Sequence, residues 1–164
     1  MADKCHQCGA CCRTLIVEAT WLDVERERNA VWRNWPMILV VEDDPRIAEM
    51  VEEDLREAGL ECRFVDNITE AQEVLADEKF ACVILDRGLP LTPRCFSDRC
   101  GGDALLAWMR ESGIVTPVVI HSANGSGVQE LLRLGAQAFV PKPSPTGENG
   151  LVAVVRRIVE APDA

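Results

Sequence analysis

No stretch of this chain approaches the ~18 consecutive apolar residues that a membrane span needs, and its first ten residues lack the apolar core of a secretory signal. Bases are in the minority. Seventeen Lys and Arg stand against 27 Asp and Glu, a formal charge of −10, in a chain of 164 residues. Such a balance repels phosphates and argues against a nucleic-acid or anionic-membrane surface. There is no internal repeat and no long low-complexity linker. Nor does a glycine-rich loop follow the first strand-like run, where Glu42-Asp43-Asp44 stands instead. That disfavours a dinucleotide site or a P-loop NTPase. What remains is ordinary for a globular chain, 48 % hydrophobic and 27 % charged, and the length suits one domain with a small appendage. The expected location is the cytoplasm.

The chain divides near Met37. Residues 1–36 hold five acids and five bases, so the whole charge of −10 belongs to residues 37–164. A 36-residue segment is too short to bury a core unaided, and would need a metal or a neighbour to dock on. Four of the eight cysteines crowd into it, at Cys5, Cys8, Cys11 and Cys12. In an unexported chain such crowding points to metal ligation before disulfides.

From residue 37 onward, strand-like and helix-like patterns alternate. Residues 38–41 form a short β-branched run. Asp44-Pro45 then offers an N-cap and a first-turn proline, and Ile47, Met50, Val51, Leu55 and Ala58 recur at helical spacing before Gly59. Residues 62–65 make a second strand. Thr69-Glu70-Ala71-Gln72 reads as a capping box for the next helix. The wholly apolar run 81–85 suits a central parallel strand. A Pro- and Gly-containing loop leads to a helix with Leu105, Trp108 and Met109. Strands at 118–120 and 138–140 and helices at 128–134 and 151–159 complete five βα units. This repeat predicts an α/β fold, a doubly wound five-stranded parallel sheet with helices on both faces.

Ligands of such sheets bind beyond the carboxyl ends of the strands. There the sequence places Glu42-Asp43-Asp44, Asp86, Ser122 and Lys142-Pro143. Crowded carboxylates repel one another unless a cation lies between them, and an all-oxygen set suits Mg²⁺. A phosphoryl group bridged by that cation would fit, with Lys142 and Ser122 holding its oxygens. Asp44 is the ambiguous third acid of its run, an N-cap or a ligand.

Four spaced motifs carry a family likeness: Met37-Ile-Leu-Val-Val-Glu-Asp-Asp-Pro45, Val83-Ile-Leu-Asp-Arg-Gly-Leu-Pro90, Val118-Val-Ile-His-Ser-Ala123 and Gly135-Ala-Gln-Ala-Phe-Val-Pro-Lys-Pro143. Over about residues 37–160 the chain resembles the CheY-like receiver domain of two-component response regulators. The resemblance implies a flavodoxin-like fold with Asp86 as phosphoacceptor. It implies Mg²⁺ held by Glu42, Asp43, Asp86 and the backbone carbonyl of Gly88. Ser122 takes the position of the switch hydroxyl, Phe139 that of the switch aromatic, and Lys142 that of the lysine that pairs with a phosphoryl oxygen. The Lys142–Pro143 bond is expected to be cis.

The implied activity is phosphorelay signalling. Asp86 would take a phosphoryl group from a sensor histidine kinase or phosphotransfer protein, and a changed surface would address a downstream protein target. The protein would not be an enzyme in its own right, although it would assist its own phosphotransfer and dephosphorylation. With no output module after residue 164, it reads as a stand-alone receiver without direct DNA binding or a membrane partner.

Other readings stand beside these. Phe139 could be plain core, Ser122 a turn residue, and His121 a packed or surface histidine. The receiver-like fold could serve as a binding scaffold independent of phosphorylation. An insertion from Leu91 to Gly101, with Cys95, Cys100, Arg94 and Arg99, reads as partner recognition, redox control or a tolerated surface loop. Ser144 to Gly150 lengthens the last loop. Cys62 and Cys82 fall on strands and read as small core residues.

The segment Cys5-His-Gln-Cys8-Gly-Ala-Cys11-Cys12-Arg13, continued by Leu15-Ile-Val-Glu-Ala-Thr-Trp-Leu-Asp23, resembles a zinc- or iron-chelating family typified by Cys-x2-Cys-Gly-x-Cys-Cys. That resemblance implies Zn²⁺ or an iron–sulfur cluster at the four thiolates, and a metal or redox sensor coupled to the receiver. A fused remnant without metal is the alternative.

Overall fold

The computed structural model describes residues 37–90 and 101–160. The Cys5–Cys12 cluster, and Cys95 and Cys100 with the insertion around them, lie outside the described residues. Aliphatic runs form five strands: β1 (Ile38–Val41), β2 (Cys62–Val65), β3 (Cys82–Leu85), β4 (Val118–Ser122) and β5 (Ala138–Pro141). The helices are α1 (Pro45–Glu57), α2 (Ile68–Asp77), α3 (Gly101–Glu111), α4 (Val128–Arg133) and α5 (Leu151–Val159), the last preceded by a 3₁₀ turn at Gly147–Asn149. All strand pairs are parallel, in the order β2-β1-β3-β4-β5. The doubly wound sheet expected from the βα repeat therefore forms. The chain winds outward from β1 to β2 and then returns to β3 on the other side. That reversal opens a crevice above the carboxyl ends of β1 and β3.

Strand alternation sorts the core into two layers. Leu39, Val41, Val83, Leu85, Val118 and Ile120 face α2, α3 and Leu131 of α4. Ile38, Val40, Cys82, Ile84, Val119 and Val140 face Val51 and Leu55 of α1 and Leu151, Val154 and Val155 of α5. Each buried aliphatic side chain contributes about 1.5–3 kcal/mol relative to exposure, so the central strands are apolar on both sides. Among the described residues no helix is long and apolar enough to cross a membrane.

Several local expectations shift. The cap of α2 is Asn67, two residues before the predicted Thr69: its side chain accepts from the Glu70 amide at 2.8 Å, and Thr69 lies inside the first turn. Asparagine caps as well as threonine, and here it stands three residues before the glutamate, where the geometry of a capping box places it. Strand β4 runs two residues past 120 because parallel pairing continues, His121 with Val140 and Ser122 with Pro141. His121 and Ser122 are both buried. Met50 is 44 % exposed, leaving Val51 and Leu55 as the buried residues of α1. Cys82 is buried as expected, but Cys62, on the edge strand, is only half-buried. Burial pushes the two thiols up to about 12 and about 11, so neither is a ready thiolate.

Candidate functional site

The carboxyl ends of β1, β3, β4 and β5 open onto a cleft of about 760 Å³ lined by Glu42, Asp43, Asp86, Gly88, Ser122 and Lys142, among others. They arrive on four strands. Glu42 and Asp43 follow β1, where the amide of Glu42 still pairs with the Val65 carbonyl of β2. Asp86 follows β3, its amide bonded to Val41 O of β1 at 2.9 Å. Ser122 ends β4, and Lys142 follows β5 with its amide on Ser122 O at 3.1 Å. The sheet ladder therefore fixes the backbones of Glu42, Asp86, Ser122 and Lys142.

Ligand oxygens of Glu42, Asp43 and Asp86 all lie within 4.8 Å of one another. Glu42 and Asp86 are buried, 5 % and 7 % exposed, whereas Asp43 is exposed. Lys142 neutralises part of this charge. Its Nζ lies 2.5 Å from Glu42 Oε2 and 3.1 Å from Asp86 Oδ1. Burial pushes the Glu42 carboxyl above its ordinary value, opposed mainly by the hydrogen bond and charge of Lys142. An oxygen-only donor set of this charge, with one side open, fits a small hard cation such as Mg²⁺. Asp44 does not join the set. It caps α1, its carboxylate accepting from Arg46 N at 3.0 Å and pairing with the Arg46 guanidinium, which holds its carboxyl below the usual range.

Gly88 is pressed against the central acid, since a Cβ there would stand 3.1 Å from Asp86 Oδ2. Ser122 is 4 % exposed, and its hydroxyl accepts from the Asn124 amide at 3.4 Å. Phe139 is not part of the cleft. It is half-buried on β5 opposite Ile120, packed against the first core layer, with its ring edge under Gly125. The Lys142–Pro143 bond is cis, as the resemblance implies.

His121, read from the sequence as packed or at the surface, is packed, and the close approach at Gly102 went unread. His121 is 1 % exposed, and neither ring nitrogen has a hydrogen-bond partner among the described residues. Burial and the nearby Lys142 charge push its imidazole down to about 4, against the opposing pull of Asp86. Gly102, at the start of α3, lies so close to the Asp86–Arg87 peptide that a Cβ would overlap the Asp86 carbonyl. The Gly101-Gly102 pair at a helix start was the available signal.

The fold and its rim define a flavodoxin-like α/β domain with an acidic pocket at the topological switch point. A family model for the response regulator receiver domain matches residues 38–156, and the chain belongs to that family. The response regulator PilR of Pseudomonas aeruginosa is 34 % identical over 123 residues, 73 % of this chain and 26 % of PilR. The transcriptional regulatory protein CutR of Streptomyces coelicolor is 32 % identical over 74 % of this chain and 52 % of CutR. The chain thus spans a quarter to a half of the length of these curated relatives. Among solved structures, the receiver domain of the Francisella response regulator 1452 superposes with a TM-score of 0.65 at 26 % identity, covering 76 % of this chain and 97 % of that one. The receiver domain of the sensor histidine kinase PA1611 of Pseudomonas aeruginosa, solved with magnesium coordinated in its active-site cleft, shares the fold at 23 % identity and a TM-score of 0.62, over 77 % of this chain and 98 % of that one.

Proposed function

We propose that the segment 37–164 is a phosphoacceptor domain of two-component signalling, with Asp86 as the residue that takes the phosphoryl group. The observation that supports this best is the convergence of Glu42, Asp43, Asp86 and Lys142, from three strand ends, in one open cleft. In this reading a carboxylate oxygen of Asp86 attacks the phosphorus of a phosphohistidine on a sensor kinase or phosphotransfer protein. The P–N bond breaks, and the electron pair leaves with the imidazole. Glu42, Asp43, Asp86 and the Gly88 carbonyl would hold Mg²⁺, which when bound offsets the charge of the transferred group. Lys142 already touches Asp86 and would exchange part of its carboxylate pairing for a phosphoryl oxygen. Ser122 would give up its contact with the Asn124 amide to reach that group, and Phe139 would follow into the space behind the loop. The face built on α4, β5 and α5 would thereby change for a downstream protein target.

Native protein with Mg²⁺ is expected to take up beryllofluoride, a stand-in for the phosphoryl group, and to be labelled by acetyl phosphate. Asp86→Asn should do neither. Equal uptake by both proteins would overturn the assignment, and no uptake by either would favour a scaffold that works without phosphorylation.

A further inference from the structure

Directly after the central acid stands a residue that none of the chemistry above uses. Arg87 is held by a two-pronged pair with Asp103 of α3, Nε to Oδ1 at 2.8 Å and Nη2 to Oδ2 at 2.9 Å. Both side chains are largely buried, 16 % and 28 % exposed. A guanidinium is a rigid plane with five donors, so fixing one edge aims the other. The other edge points at the loop between β4 and α4. There Nη1 donates to the carbonyls of Asn124, at 3.4 Å, and of Ser126. Nη2 also passes 3.5 Å from where a Cβ on Gly127 would stand, at the left-handed turn into α4. The base of this strut is equally constrained, because Gly102 is seated on the Asp86–Arg87 peptide.

Asn124 therefore links two systems. Its carbonyl is gripped by Arg87, while its amide donates to the Ser122 hydroxyl that lines the cleft. We propose that Arg87 is a positioning residue. Clamped by Asp103, it holds the β4–α4 loop in the observed arrangement, with the Asn124 amide on the Ser122 hydroxyl, and so opposes the movement of Ser122 toward Asp86. This rests on the phosphoacceptor reading, and adds to it a restraint that phosphorylation must release. A restraint present in one state alone biases the equilibrium, and loosening it raises the share of the binding-competent state.

The test uses the full chain with Arg87→Lys, which keeps the charge but loses the fork, and Asp103→Asn, which loosens the clamp from the other side. Without any phosphoryl analogue, both variants should show about tenfold faster amide hydrogen exchange over residues 123–128, with β1 and β3 unchanged. With Mg²⁺, both should bind beryllofluoride about three- to fivefold more tightly than the native protein. A merely structural role would weaken that binding or leave it alone. Native exchange rates in the loop of both variants, or a mobile loop with unchanged or weaker affinity, would overturn the proposal. Equal affinities in native and variant proteins would sink the strut alone. Failure of the native protein to bind would sink the phosphoacceptor reading and this role with it.

Discussion

Lys142 and His121 are basic groups brought together by the β4–β5 pairing, one at the polar rim of the sheet and the other one residue below it. Lys142 reaches two carboxylates, Glu42 and Asp86. His121 is more deeply buried and has no hydrogen-bond partner among the described residues. The rim therefore tolerates buried charge because opposite charges share it. The layer beneath, packed from Val40, Ile84, Val119 and Val140, supplies none. A positive charge on His121 would also face Lys142 across the strand ends, with Asp86 as the partial counterweight. The two regions should respond in opposite senses to the loss of a basic group.

Removing the base at the rim should have the largest effect. Lys142→Met leaves Glu42 and Asp86 buried together without their counterion, and is expected to cost about 3–5 kcal/mol at neutral pH. Urea denaturation checks this. Mg²⁺ should stabilise Lys142→Met more than it does the native protein, because the cation would then be the sole compensation for the acids. Equal Mg²⁺ effects would mean that Lys142 and the cation do not share ligands.

Removing the base below the rim should do the reverse. The His121 imidazole sits near 4 in the folded protein against 6.5 ordinarily. Between those values the unfolded chain binds a proton that the folded one refuses, so stability falls as pH drops from 6.5 toward 4. At pH 4.5 this amounts to about 2–3 kcal/mol. His121→Leu should abolish that loss and be neutral or stabilising at pH 7, where two unpaired ring nitrogens are replaced by a hydrocarbon. Glu42 works in the opposite direction, since its raised carboxyl value makes its protonation favour the fold at low pH. It is common to both proteins and cancels in the comparison. Parallel pH profiles for native and His121→Leu would refute the assignment.

The seam between rim and core should be less sensitive, though still costly. At Gly102 a methyl group would meet the Asp86 carbonyl and stand 2.7 Å from Arg87 Cα. Gly102→Ala is expected to cost about 2 kcal/mol. It should also weaken beryllofluoride uptake, because the strain falls on the backbone that carries Asp86. Unchanged uptake together with lost stability would show that α3 can shift without moving the acid.

What could be read in advance follows the same division. The succession of strands and helices, the helices on both faces of the sheet and the acids at the strand ends were legible because each depends on a local pattern: an apolar run, a helical period, a strand terminus. The Arg87–Asp103 pair was not, since the two residues are sixteen apart and nothing in either neighbourhood points to the other. His121 was left open between packed and exposed because β4 ends by pairing with β5, a partner that its own residues do not reveal. Thr69 was read as the cap from its capping-box pattern, yet Asn67 fits a cap equally well, and only the path of the backbone out of β2 chooses between them.

That last substitution provides the smallest effect and the control for the others. The Asn67 side chain satisfies the Glu70 amide at the start of α2, and Asn67 is not among the residues lining the cleft. Asn67→Ala should therefore cost about 1 kcal/mol, the usual price of a lost N-cap, and leave Mg²⁺-dependent beryllofluoride affinity at its native value. Were affinity to fall along with stability, weakened binding in Gly102→Ala would lose its local meaning, because general loosening of the fold would suffice to explain it. Were affinity to hold, changes of either sign at Gly102, Arg87 and Lys142 could be assigned to the rim itself.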